Sequence, residues 1–431
     1  MKFLKALAIT TVVSLFGVIN GTYAQAMTFE ELYEIKNENL NIQSFTQGSP
    51  FALYDANSEI NAFLNLALIN TYLSEDEHGG VFIDGDTLVV IEVVEPTSDR
   101  SRTNSMERIQ EFANTESRIL SNFLRIEEGR FTMTEMISTM NYIVDIEHIM
   151  GDRGDVVRII TPMVRENTVR VGILPHIYND EDLRNEIIGY LRERVSHLSD
   201  KENFSDILSF EADAGVTLLG VLPNFEDEIW EYSEILEQND ELVVDNFNTT
   251  TIFPGLTLLR NQSGVPATAN NILNGRLIST GHAFRVGEQL TAHNQTVGTV
   301  VRNIFSGDVD ASATTITNPN MRVSNMWPNN TPIAGNSGIF NVSGASIISF
   351  GGRTGQRSGT ILDTQSSITF PGLGTIRNVV LTDVTTIMEG DSGGPVRTSQ
   401  GFNSGIITGV RTGDGTNRMV YVCIQRAANV L

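Results

Sequence analysis

The stretch Met388-Glu389-Gly390-Asp391-Ser392-Gly393-Gly394-Pro395 constrains this chain more than any other. Its serine stands between glycines, on a segment too glycine-rich for a helix or a regular strand. A side chain on such a turn is presented outward, and the small neighbours let another backbone approach. The N–H groups of Gly390 and Ser392 can converge on one point, which suits a developing oxyanion. A bare Gly-x-Ser-x-Gly is also an ordinary glycine turn, so chemistry needs partners elsewhere. A serine hydroxyl becomes a nucleophile when a histidine takes its proton and a carboxylate orients that histidine. The chain has six histidines, none after His293. The α/β-hydrolase elbow requires its histidine after the serine, so that fold is excluded. The histidine must come first. The best candidate is His282 in Leu277-Ile278-Ser279-Thr280-Gly281-His282-Ala283, where a short apolar run ends in small residues.

Ser279-Thr280-Gly281-His282 followed by Gly390-Asp391-Ser392-Gly393-Gly394-Pro395 resembles the chymotrypsin-like serine peptidases, in particular the bacterial α-lytic protease and streptogrisin branch. Gly352-Arg353-Thr354-Gly355, then Gly359-Thr360-Ile361, matches a glycine-rich piece that precedes the serine in that branch. The resemblance implies an all-β catalytic domain of two six-stranded antiparallel barrels. It also implies an ion pair between Arg353 and Asp391, which would relieve the cost of burying Asp391. Asp308, Asp310, Asp363 and Asp383 could each supply the triad carboxylate. Asp310-Ala311-Ser312-Ala313 matches the family pattern of an aspartate before small residues, so Asp310 is expected, with Asp308 as the alternative. The implied roles are His282 as base, Asp310 as orienter and Ser392 as nucleophile, with Gly390 and Ser392 forming the oxyanion hole. Thr386, Glu389, Thr408, Gly409 and Val410 would bind substrate, with Thr385, Thr386 and Ile387 at the base of the specificity pocket and Thr408 reaching the triad aspartate. No acid stands at that base, which argues for a small or medium apolar residue before the cut.

The rest of the chain fits an exported zymogen. At 431 residues, two or three domains are expected. Residues 1–26 read as a secretory signal, with Lys2 and Lys5 before an apolar stretch and small residues at the cleavage site. No later segment is apolar enough to cross a membrane as a helix. From position 246 onward there are 12 arginines, no lysine and 8 acids, whereas the whole chain carries a net charge of −23. Residues 27–245 are therefore strongly acidic and 246–431 mildly basic, an asymmetry that favours docking.

Residues 27–75 read as helical. A hairpin turns at Asp84-Gly85, and two or three amphipathic helices run from Ser105 to about Met150. A second hairpin turns at Arg165-Glu166-Asn167, and a helix runs from Asp180 to Val195. The resemblance implies that 27–245 is an α+β pro-region of two hairpin–helix units that assists folding and inhibits. A maturation cut is expected near the acidic run Glu226–Asp245. From Ile252 onward the texture is all-β. No metal-ligand spacing, cofactor motif or basic cluster for nucleic acid is present. The expected partners are a polypeptide substrate and the chain's own pro-region, on a monomer. The single cysteine, Cys423, reads as a buried core thiol in place of the family's disulfides.

Overall fold

A computed structural model describes residues 76, 78–85, 87–93, 124–147, 156–218, 250–260, 266–338, 341–370, 374–412 and 417–431. The leader, the helices expected over 29–40, 56–73 and 105–123, and the acidic run 226–245 lie outside these residues. The chain divides into two compact units. The first takes residues up to Asp213 together with 339–346 and 360–367. The second takes 214–338, 347–359 and 368–431. The division thus falls after Asp213 rather than after 245, and the first unit is discontinuous in sequence.

The first unit is built twice on one plan. Strands β1 (His78–Asp84) and β2 (Thr87–Val93) form a hairpin whose turn places Gly85 at φ 66°. β3 (Leu124–Gly129) then returns parallel to β2, and α1 (Met133–Glu147) follows. Strands β4 (Val157–Met163) and β5 (Thr168–Ile173) form the second hairpin. The short α2 (Pro175–Tyr178) and the longer α3 (Glu181–Ser196) lead to β6 (Leu208–Ala212), parallel to β5. The Asp180 carboxylate caps α3 by accepting from Leu183 N at 3.1 Å. The third strands escape the sequence pattern because neither shows a clean alternation; β3 carries Arg125, Glu127 and Glu128 and buries no residue fully.

Asn167 ties the two halves of this unit together. It sits at φ 51° in the turn between β4 and β5, and its Oδ1 accepts from Arg130 N at 2.6 Å and Phe131 N at 2.7 Å. Its Nδ2 donates to Phe131 O at 2.7 Å. Met136, Met140, Ile143, Val169, Val171, Leu191 and Val195 form the core above the strands.

Among the described residues, the second unit is mostly strand. Its elements are β7 (Val216–Leu218), β8 (Thr250–Ile252), β9 (Thr257–Arg260), β10 (Pro266–Thr268), β11 (Ile272–Leu273) and β12 (Arg276–Ser279). They continue with β13 (Gln289–Ala292), β14 (Gln295–Ser306), β15 (Val309–Ile316) and β16 (Met321–Val323). After these come β17 (Ser346–Gly351), β18 (Gly355–Phe370), whose residues 360–367 fall in the first unit, and β19 (Gly374–Thr385). The last elements are β20 (Pro395–Thr398), β21 (Asn403–Arg411), β22 (Arg418–Cys423) and a terminal helix α4 (Ile424–Ala428).

One sheet runs β10-β9-β13-β14-β15-β12-β11. It has seven strands rather than the six expected, because the segment 266–273 splits into two short strands, one at each end of the sheet. The other follows β17-β20-β21-β22-β19-β18 and is closed by β17 pairing with β18, which makes the expected six-stranded barrel. Cys423 is half-buried where β22 passes into α4, rather than fully buried in the core. Burial of the thiol group itself pushes its pKa up, so it stays protonated.

Asn167→Ala removes three short hydrogen bonds from a buried site and puts a Cβ-only residue at positive φ. It should destabilise the first unit by about 2–4 kcal/mol, read as lost hydrogen-exchange protection at the amides of Arg130 and Phe131.

Candidate active site

His282 is delivered by the end of β12, where the ladder to β15 stops at Ser279 opposite Ser312. Two residues earlier on β15 lies Asp310, buried completely. Its Oδ1 accepts from Gly281 N at 2.8 Å and His282 N at 2.9 Å. Its Oδ2 lies 2.7 Å from His282 Nδ1. Thr280 Oγ1 donates to the carboxylate at 2.9–3.0 Å and lies 2.7 Å from the same Nδ1. With the carboxylate accepting at Nδ1, the tautomer this network favours carries its proton there and leaves Nε2 unprotonated. Burial pushes the Asp310 carboxyl upward, but the His282 charge and the converging donors outweigh it and hold the group below the usual carboxylate range.

The four acids offered by the sequence are separated by their neighbours. Asp308 pairs with Arg426 of α4. Asp363 belongs to the first unit and lies 3.6 Å from Arg170. Asp383 is exposed on β19. Only Asp310 faces His282.

Ser392 lies on the turn between β19 and β20, and the turn packs directly on the histidine segment. A Cβ placed on Gly393 would come within 2.3 Å of Ser279 Oγ and 2.9 Å of Thr280 N. Gly393 at φ 91° therefore permits the close approach as well as the turn. Gly390, at φ 98°, sets the backbone two residues before Ser392. The carbonyls of the turn are held from β10 and the residues after it. Thr268 N donates to Ser392 O at 2.6 Å, Thr268 Oγ1 to Gly390 O at 2.7 Å, and Asn270 Nδ2 to Gly393 O at 3.0 Å. The sequence reading missed Thr268, Asn270 and Thr280. A polar residue at every second place in Thr268-Ala269-Asn270, within a buried strand end, is the signal that was available.

Asp391 is held differently from the expectation. The expected ion pair with Arg353 is not formed through the guanidinium, which reaches Glu389 O at 3.4 Å. Instead the carboxylate accepts from Arg353 N at 2.9 Å, Thr354 N at 3.0 Å, Met388 N at 2.9 Å and Thr354 Oγ1 at 2.7 Å. Four donors satisfy the buried charge without a cation.

The expected substrate residues are distributed unequally. Thr408 is buried, and its carbonyl accepts Ser392 Oγ at 3.3 Å. Its hydroxyl donates to Ile406 O at 3.4 Å, so the threonine hydroxyl on Asp310 is that of Thr280. Gly409 and Val410 lie on the edge of β21, paired with Leu218 and Thr217. Thr386 stands exposed at φ 66°, its Oγ1 accepting from Arg357 Nε at 3.0 Å, and so does not form a buried pocket floor. Glu389 is exposed, whereas Ile387 is buried.

No family model and no curated protein matches this chain. Solved structures do. Cellulomonas bogoriensis chymotrypsin is 23% identical, with 42% of this chain and 94% of that one covered at a TM-score of 0.36. The Nocardiopsis protease NAPase is 22% identical, covering 42% and 96% at 0.36. An α-lytic protease homologue, N4, is 19% identical, covering 42% and 96% at 0.35. The chain is thus similar, over about 42% of its length, to chymotrypsin-like bacterial serine proteases.

Because the folded Asp310 carboxyl lies below its unfolded value of about 3.9, its ionised form stabilises the fold at all higher pH. That contribution disappears as pH falls from about 4 toward the folded pKa. The stability gap between wild type and Asp310→Asn, followed by urea unfolding, should be constant above about pH 5 and shrink below about pH 4.

Proposed function

We propose that this chain is an exported serine endopeptidase made as a zymogen. The observation that carries the reading is the joining of two segments far apart in sequence. Thr280, Gly281 and His282 surround the buried Asp310 carboxylate, and the Ser392 turn packs on Thr280.

In this reading His282 Nε2 takes the Ser392 hydroxyl proton as Oγ attacks the peptide carbonyl carbon. Gly390 and Ser392 N–H groups hold the oxyanion. The peptide C–N bond then breaks, the leaving amine takes the proton from His282, and an ester remains on Ser392. Water, deprotonated by His282, hydrolyses that ester and restores the hydroxyl. Asp310 stays ionised throughout and stabilises the imidazolium between the two proton transfers. Residues 1–26 are the proposed export signal, and the acidic region to about 213 is the proposed folding aid and inhibitor. The substrate is a polypeptide, bound in extended form beside Gly409 and Val410.

A serine-reactive sulfonyl fluoride should form one adduct, mapped by mass spectrometry to Ser392 and lost in His282→Ala. Asp310→Asn, which keeps the shape but reverses the tautomer preference, should lower kcat by about 10⁴-fold. No adduct in either the full-length or the processed protein would leave a trypsin-like fold that binds polypeptides without cutting them.

A further inference from the structure

Pro266 and Thr268, two residues apart on β10, both meet the serine turn at Gly390. A Cβ placed on Gly390 would stand 3.2 Å from Pro266 Cγ. Thr268 is fully buried, and its Oγ1 donates to Gly390 O at 2.7 Å while accepting from Gly352 N at 2.8 Å. One hydroxyl thus joins the serine turn to the loop whose next two residues, Arg353 and Thr354, donate to Asp391.

The other main-chain groups of the turn show what this hydroxyl adds. Asp391 N donates to Met388 O at 3.1 Å, Gly393 N to Ile407 O at 2.8 Å and Gly394 N to Asp391 O at 3.0 Å. Among the described residues, the N–H groups of Gly390 and Ser392 donate to no protein group, although both residues are buried. Buried N–H groups left over in this way are rare in folded proteins. Their directions are set by how their own residues are held. Ser392 O is fixed by Thr268 N at 2.6 Å. Gly390 is the weaker point, since a glycine at φ 98° has no side chain to confine its backbone. The peptide plane that carries its N–H also carries Glu389 O, which Arg353 reaches only at 3.4 Å from an exposed position. The firm hold is on its other plane, through the buried Thr268 hydroxyl.

We propose that Thr268 is a positioning residue of the reaction: its hydroxyl fixes the Gly390 carbonyl and thereby aims the Gly390 N–H at the oxyanion. The inference rests on the peptidase reading above and adds a side chain that acts only through the turn. A misaimed donor weakens the transition state more than the bound substrate, because the charge it meets develops only there.

Thr382 supplies a matched comparison. It is as fully buried as Thr268, and its Oγ1 likewise donates to one carbonyl, Met419 O at 2.9 Å, and accepts from one amide, Val384 N at 3.3 Å. Those bonds lie between β19 and β22 and touch no group of residues 388–394.

The test uses the full chain as purified, with p-nitrophenyl acetate as an activated ester that needs the serine and the oxyanion donors but no side-chain pocket. Thr268→Val should lower kcat/KM by about 10²-fold, and Thr268→Ser should restore most of it. Thr382→Val should lower the urea midpoint as Thr268→Val does, yet keep the wild-type kcat/KM. Should the valine protein fail to fold, Thr268→Ala carries the same expectation. Wild-type activity in Thr268→Val or Thr268→Ala, or an equal loss in Thr382→Val, overturns this inference alone. A wild-type protein that neither cleaves the ester nor forms the Ser392 sulfonyl adduct overturns the peptidase reading and this inference together.

Discussion

The buried carboxylate of Asp310 sets the conditions for everything around it. A charge with no exposed surface in a β-rich interior persists only if its oxygens are surrounded by donors. Here two successive backbone N–H groups, a threonine hydroxyl and an imidazole converge on it. Gly281 and His282 can both aim their N–H groups at one oxygen only where the strand has ended. The termination of β12 at Ser279 is therefore part of the electrostatics. Gly281 has a second reason to be small, because a Cβ there would fall 2.3 Å from Ile304 O.

The same problem recurs on the serine side and is solved with the same materials. Asp391 is wholly buried and accepts three backbone N–H groups and one hydroxyl, with no guanidinium bonded to its oxygens. Backbone donors cost no side-chain entropy to position, and they cannot swing away as an arginine can. The turn that bears Ser392 is thus pinned from within by Asp391 and from without by Thr268 and Asn270.

Much of this was legible in the sequence. The order of His282 and Ser392, the glycines at 390 and 393 and the all-β texture from Ile252 onward led to the β-rich second unit and to the paired segments. What escaped was set by contacts across the fold. Asp308 and Asp310 stand two residues apart, but Asp308 lies in the turn before β15 and is claimed by Arg426 at the far end of the chain, whereas Asp310 lies on the strand itself. The Arg353–Asp391 pairing was expected between charges and is made by a peptide N–H, which every residue but proline carries and no sequence pattern displays. The strands β3 and β6 are half-exposed and carry charge, so hydrophobic alternation is too weak to reveal them. The place of Val216-Thr217-Leu218 depends on an edge of β21 nearly two hundred residues away, and a three-residue run has no periodicity to read.

The pairing of β7 with Gly409, Val410 and Arg411 is made by main-chain groups, and this shapes what else can stand there. Any segment that takes its place must first give up its own helix or sheet over several residues. Fixing each residue costs about 1–2 kcal/mol of backbone entropy. β7 meets much of that cost by being tethered to the same chain, whereas a foreign segment meets it in full. A segment that pairs with such an edge must therefore be extended, whatever its side chains.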